Sequence, residues 1–207
     1  MKYDSIIFDL DGTLWDTSTS CAIAWNNVIL RNKINFREIF DSDIKKVAGK
    51  PHNECIRNIF TSLSENEIKT LIDETLIEDI SVISKLGGKI YDGVIEGLES
   101  LSKNYKLFIV SNCQSGYIEK FLSINNLQDL FSDFECWGNS YKPKTINTKN
   151  LIAKNYLKNP IFIGDTKEDF IAAQNVSIDF IQACYGFGEE IEVCKKIINF
   201  QDLLKFL

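Results

Sequence analysis

Two aspartates stand one residue apart, at positions 9 and 11. They directly follow an apolar run and directly precede a Gly-Thr pair, in Ser5-Ile6-Ile7-Phe8-Asp9-Leu10-Asp11-Gly12-Thr13-Leu14. Side chains two apart on an extended chain point the same way, so both carboxylates can enter one pocket. Two like charges held that close raise each other's pKa unless a cation intervenes, so the pair implies a bound cation. Gly12 lets the backbone turn tightly just beyond. The plainer alternative is a strand followed by an ordinary Asp-Gly turn. Polar groups recur at comparable places farther on: Ser111-Asn112 after Leu107-Phe108-Ile109-Val110, and Gly164-Asp165, with Asp169 four residues later, after Ile161-Phe162-Ile163. Two lysines, Lys142 and Lys144, precede that last run. Ser111 taken alone is a strand-ending turn. The acids from Asp165 to Asp169 taken alone favour a helix N-terminus through the macrodipole.

The elements that must position these groups follow from periodicity. Ile6-Ile7-Phe8 is apolar without alternation, as expected of a strand buried on both faces and central in a parallel sheet. Residues 17 to 86 give helical signals only: 17–31, 41–47 with Asp41 or Ser42 as N-cap, 51–60, a capping box at Ser64-Glu65-Asn66-Glu67, and a helix over 74–85 stopped by Gly87-Gly88. Strands and helices then alternate. The strands are 106–110, 131–136, 161–163 and 178–183. The helices are 94–101 with Asp92 as a possible cap, 117–124, 148–156, one opening over 170–175, and a closing helix over 201–207. The alternation predicts an α/β fold, a doubly wound parallel sheet, with a helical insertion after its first strand. Ligand sites in such sheets lie at the carboxyl ends of the strands, where each polar group above falls.

The chain has 207 residues, 44% hydrophobic and 25% charged, enough for one core plus a small accessory unit. A net charge of -6 and a pI near 4.9 argue against an electrostatic nucleic-acid or membrane partner. No apolar stretch is long enough to span a bilayer, and the sequence runs straight into a strand without a signal-peptide pattern. Six scattered cysteines and one histidine make a zinc site improbable and suit a reduced, cytoplasmic protein.

The stretch from Ile6 to Thr13 resembles the first motif of the haloacid dehalogenase-like superfamily of aspartate-nucleophile phosphotransferases. Ser111, a lysine from Tyr141-Lys142-Pro143-Lys144, and Ile163-Gly164-Asp165-Thr166-Lys167-Glu168-Asp169 resemble its second, third and fourth motifs in order, so the resemblance covers nearly the whole chain. It implies Asp9 as the nucleophile that forms an aspartyl-phosphate, and Asp11 as general acid and then general base. It implies Mg²⁺ held by Asp9, the Asp11 carbonyl and Asp165, with Asp169 assisting directly or through water. Phosphate would be bound by Thr13, Ser111, Asn112 and a lysine. Lys142 fits the usual Lys-Pro form, and Lys144 better fits the spacing to the fourth motif. The chemistry is coherent: a carboxylate attacking a phosphate dianion needs a hard cation, an ammonium and hydrogen-bond donors to remove the repulsion.

The resemblance further implies a core of residues 1–16 and 88–207 and a helical cap of 17–87, as in phosphoglycolate phosphatase-like and β-phosphoglucomutase-like members. Asp16, Lys50 and His52 are then candidate substrate contacts, against the plainer readings of an exposed lysine and a surface histidine. The expected activity is Mg²⁺-dependent hydrolysis of small phosphate monoesters, and the alternative is a β-phosphoglucomutase-type phosphomutase. Dehalogenation is disfavoured, because members with that activity lack the second aspartate and the metal. A scaffold role is disfavoured by the intact acidic set. Tyr185-Gly186-Phe187-Gly188 reads as a turn after the fifth strand.

Overall fold

A computed structural model describes residues 2–192 and 195–207. Cys194, one of the six cysteines, lies outside the described residues. The chain runs β1 (Ser5–Phe8), β2 (Trp15–Asp16), α1 (Ser18–Arg31), α2 (Asp41–Val47), α3 (His52–Ile59), α4 (Glu65–Leu86), β3 (Lys89–Ile90), α5 (Val94–Leu101), β4 (Lys106–Ser111), α6 (Tyr117–Asn125), β5 (Phe131–Cys136), α7 (Trp137–Ser140), α8 (Lys144–Lys154), β6 (Pro160–Gly164), α9 (Lys167–Asn175), β7 (Asp179–Ala183) and β8 (Lys196–Ile197). A six-stranded sheet has the order β5-β4-β1-β6-β7-β8, and all of its pairings are parallel. β1 is therefore central, as its unbroken apolar run requires. Ile6 and Phe8 enter one apolar cluster with Ile109, Ile163, Val94 and Phe121. Ile7 enters another with Phe108, Phe162, Leu151 and Ala173. Both faces of the sheet are thus covered.

Register fixes where the polar groups emerge. Phe8 pairs with Ile109 on β4 and with Ile163 on β6, so Asp9, Ser111 and Asp165 leave the sheet at one edge. Helices α1 to α4 pack on each other over that edge around their own apolar cluster of Trp25, Val28, Ile56, Phe60, Leu71 and Val82. α4 opens with the expected capping box: Glu67 accepts from the Ser64 N–H, and the Ser64 hydroxyl accepts from the Glu67 N–H.

Several sequence expectations are corrected. Residues 15–16 and 89–90 form an antiparallel two-stranded ribbon at the entry and exit of the helical layer. Each strand is only two residues long, too short to show periodicity. The N-cap of α2 is Phe40, whose N–H is accepted by the Asp43 carboxylate at 3.1 Å, and not Asp41 or Ser42. α5 is preceded by a left-handed Gly93, with Asp92 outside the cap position. α8 begins at Lys144, four residues before the expected start. The expected closing helix is a 3-10 turn over Phe200–Lys205.

Candidate active site

The site is built on the β1–β4–β6 edge. Asp9 continues β1, and its N–H is accepted by the Ile163 carbonyl at 2.8 Å. Gly12 follows at φ +86°, and a Cβ there would overlap the Asp165 carboxylate, so a glycine is needed on two counts. One oxygen each from Asp9, Asp165 and Asp169 lies within 4.8 Å of the others. All three residues are buried. Lys144, at the first turn of α8, donates to Asp9 Oδ1 at 2.6 Å and to Asp169 Oδ1 at 2.5 Å.

The remaining oxygens are organised by short local bonds. Asp169 Oδ2 accepts from the Thr166 N–H and hydroxyl in a capping box that starts α9. Asp165 Oδ2 accepts from the N–H groups of Phe187 and Gly188 at 2.7 and 3.1 Å, so residues 185–188 do more than turn the chain: they grip an acid of the cluster. Among the described residues Asp165 Oδ1 takes only a long 3.4 Å contact from the Thr13 hydroxyl.

The electrostatics are those of an under-neutralised anion cluster. Burial and then Asp169 push the Asp9 carboxyl well above the usual range against the pull of Lys144. Burial and Asp169 raise Asp165 to about 7. Burial alone would lower the Lys144 ammonium, but Asp169 and Asp9 outweigh it and hold it above its ordinary value. Among the described residues one ammonium answers three buried carboxylates. The donor set is all hard oxygen, which fits Mg²⁺: the Asp9 oxygen not bonded to Lys144 and Asp165 Oδ1 are the least engaged, while both Asp169 oxygens are already bonded.

Asp11 sits beside this cluster on the wall of a cleft between the sheet edge and the helical layer. The Tyr117 hydroxyl donates to Asp11 Oδ1 at 2.7 Å, and Thr17 adds a 3.3 Å contact. Burial raises Asp11 to about 6 against these two hydrogen bonds, which leaves it able to hold and release a proton near neutrality. Ser111 and Asn112 line the same cleft. Asn112 Nδ2 donates to the Gly49 carbonyl at 2.7 Å and ties the β4 end to the α2–α3 loop.

The expected residues divide accordingly. Asp9, Asp11, Ser111, Asn112, Lys50 and His52 line the cleft, and Lys144, Asp165 and Asp169 gather around Asp9. Lys142 is exposed, so the buried lysine is Lys144. Thr13 is buried behind Asp165. Asp16 accepts from Ser18 at the start of α1 and pairs with Lys45. His52 is no surface residue: it is buried, with Nε2 2.8 Å from the Thr75 hydroxyl and Nδ1 3.6 Å from Asp79. Sequence reasoning missed Asp79, Gln114, Trp25 and Tyr117, which all line the cleft. The available signal was Thr75 and Asp79 interrupting the Leu71–Val82 stripe of α4 at helical spacing.

A family described as haloacid dehalogenase-like hydrolases matches residues 6–183. A phosphoglycolate phosphatase from Colwellia psychrerythraea is 29% identical over 207 residues, covering 90% of this chain and 87% of that one. Another from Psychrobacter arcticus is 26% identical over 217 residues, covering 98% and 93%. Among solved structures, a haloacid dehalogenase-like family hydrolase from Streptococcus pneumoniae superposes with a TM-score of 0.86 at 21% identity, covering 99% of this chain and 98% of that one.

Proposed function

The chain belongs to the haloacid dehalogenase-like hydrolase family, and from that membership we propose that it is a Mg²⁺-dependent phosphatase of small phosphate monoesters, working through an aspartyl-phosphate. The observation that carries this reading is the convergence of Asp9, Asp165 and Asp169 on one point, with Lys144 bridging two of them. Residues 1–16 and 88–207 act as the core and 17–87 as a cap, and the protein is placed in the cytoplasm. Cysteines 21, 55, 113, 136 and 184 are free thiols, the form a reducing compartment maintains. No helix among the described residues is long and apolar enough to cross a membrane.

In this mechanism an Asp9 carboxylate oxygen attacks phosphorus while the ester oxygen leaves and takes the Asp11 proton. The ionised Asp11 then takes a proton from water, whose oxygen attacks the phosphorus of the aspartyl-phosphate and releases phosphate and Asp9. Asp9, Asp165 and the Asp11 carbonyl would hold Mg²⁺, with Asp169 through water, and the ion would supply charge neutralisation at the transferring phosphoryl group. Lys144 and the Ser111 hydroxyl add the remaining positive charge and donor.

Phosphate release from a panel of esters, with Mg²⁺ and after chelation, tests the reading. Wild type turns over only with the metal, and Asp9→Asn folds normally but does not turn over. Near-normal turnover by Asp9→Asn would remove Asp9 as nucleophile.

A further inference from the structure

The cleft is also lined by Asp79 of α4, His52 of α3, Trp25 of α1 and Gln114 after β4, with Cys21 and Cys55. Asp79 is only 2% exposed. It accepts from Trp25 Nε1 at 3.1 Å and from Gln114 Nε2 at 3.4 Å, and no lysine or arginine bonds to it among the described residues. The proton count around His52 is informative. The Thr75 hydroxyl donates to the Leu71 carbonyl at 2.6 Å, so in the 2.8 Å contact with His52 it must accept, and His52 Nε2 carries the hydrogen. A neutral His52 then turns a bare Nδ1 toward Asp79 Oδ2 at 3.6 Å. One proton must therefore sit between them, on Asp79 in a neutral pair or on His52 in an ion pair. Burial supports the neutral pair from both sides, raising Asp79 to about 8 and lowering His52 to about 4.

The rest of the wall has the same character. Asn112 uses its amide N–H on Gly49, and its Oδ1 is buried without a hydrogen-bond partner among the described residues, an acceptor in want of a donor. The one ammonium on the cleft wall among the described residues, Lys50, leans to an exposed contact with Asn58 at 3.5 Å. A hydroxyl can donate to Asn112 and exchange hydrogen bonds with the acid–imidazole pair. A carboxylate offers only acceptors, and placed against Asp79 and the Asn112 Oδ1 it would meet a buried acid and a second acceptor.

We propose that Asp79, with His52, Gln114 and Asn112, selects an uncharged, hydroxyl-bearing leaving group, so that the substrate is a short polyol or sugar phosphate and an ester with a second anion is turned away. This rests on the phosphatase reading above and narrows it. The substrate named for the two relatives therefore does not transfer to this chain.

The decisive measurement compares 2-hydroxyethyl phosphate with 2-phosphoglycolate, which differ only in a CH₂OH against a carboxylate. Wild type with Mg²⁺ should favour the alcohol in kcat/KM by about tenfold or more. Asp79→Leu should lose most of that preference, chiefly by raising KM for the alcohol. Asp79→Asn keeps a donor facing His52 and an acceptor for Trp25, and should recover most of it. Should Asp79→Leu fail to fold, the wild-type and Asp79→Asn ratios still decide. A wild-type preference for 2-phosphoglycolate, or none either way, overturns the inference and leaves the phosphatase reading standing. No phosphate release from any ester, p-nitrophenyl phosphate included, overturns both.

Discussion

Lys144 Nζ lies 2.5 Å from Asp169 Oδ1 and 2.6 Å from Asp9 Oδ1, with all three side chains almost wholly buried. Removing this ammonium strands two carboxylates that no other lysine or arginine bonds to among the described residues. Lys144→Ala should abolish turnover and lower stability by about 3–5 kcal/mol, the cost of breaking a buried pair. Mg²⁺ should then raise the variant's melting temperature more than that of wild type, because the cation takes over the neutralising role. Lys142→Ala removes only an exposed charge and should change stability by no more than about 0.5 kcal/mol. Thermal melts of both variants with and without Mg²⁺ check this. Equal sensitivity at the two positions would sink the assignment.

What could be read from sequence and what could not have one physical origin. β1, β4 and β6 are legible because a strand covered on both faces must be apolar throughout, and the polar residue that breaks each run marks the sheet edge where ligands bind. Lys144 and Lys142 could not be separated by composition. Only the start of α8, set by the chain's exit from α7, buries one and exposes the other. Asp79 was hidden for a different reason. It follows Glu74 and Glu78, which pair with Arg31 on the exposed face of α4, and an acid in such company reads as another solvated charge. Its burial comes from α1 and α3 packing across α4, a tertiary fact. Tyr117 was hidden as an ordinary apolar position of α6, and only its hydroxyl belongs to the site.

Tyr117 positions Asp11 through the 2.7 Å hydrogen bond to Oδ1. A donor to a carboxylate favours its ionised form, so Tyr117→Phe should raise Asp11 above its value of about 6. The leaving group requires protonated Asp11, so the alkaline limb of the kcat profile should move to higher pH. The carboxyl also loses its anchor, and kcat at the optimum should fall about tenfold. A pH–rate profile for wild type and variant settles this. A profile that drops without shifting would mean that Tyr117 only supports packing.

Gly12 and Gly116 have nearly the same φ, +86° and +83°, yet different surroundings. A Cβ on Gly116 meets open space, whereas one on Gly12 runs into the Asp165 carboxylate. Both alanine variants should pay a left-handed strain of about 1–2 kcal/mol. Only Gly12→Ala should also displace Asp165, abolish activity and weaken the Mg²⁺-induced rise in melting temperature. Matched melts and assays separate strain from collision. An active Gly12→Ala would show that Asp165 need not stay where the structure puts it.

The Asp79 carboxyl, raised by burial from 3.8 to about 8, makes stability depend on pH in a definite direction. For an acid whose folded pKa lies above its unfolded one, the stabilising contribution is complete below the unfolded value and is lost as pH rises toward the folded value. Between pH 4 and pH 8 the unfolded chain ionises Asp79 freely while the folded protein resists. Wild type therefore loses up to about 1.4 kcal/mol per pH unit from this residue. Asp79→Asn does not titrate, keeps the contacts to Trp25 and His52 while giving up the long one from Gln114, and shares every other ionisable group, His52 included. Its stability relative to wild type should climb steadily from pH 5 to pH 8 and level off above. Denaturant unfolding of the two proteins at pH 5, 6.5 and 8 measures the difference directly. Parallel curves would mean that Asp79 ionises at an ordinary carboxylate pKa inside the fold, and the neutral acid–imidazole pair of the cleft would go with it.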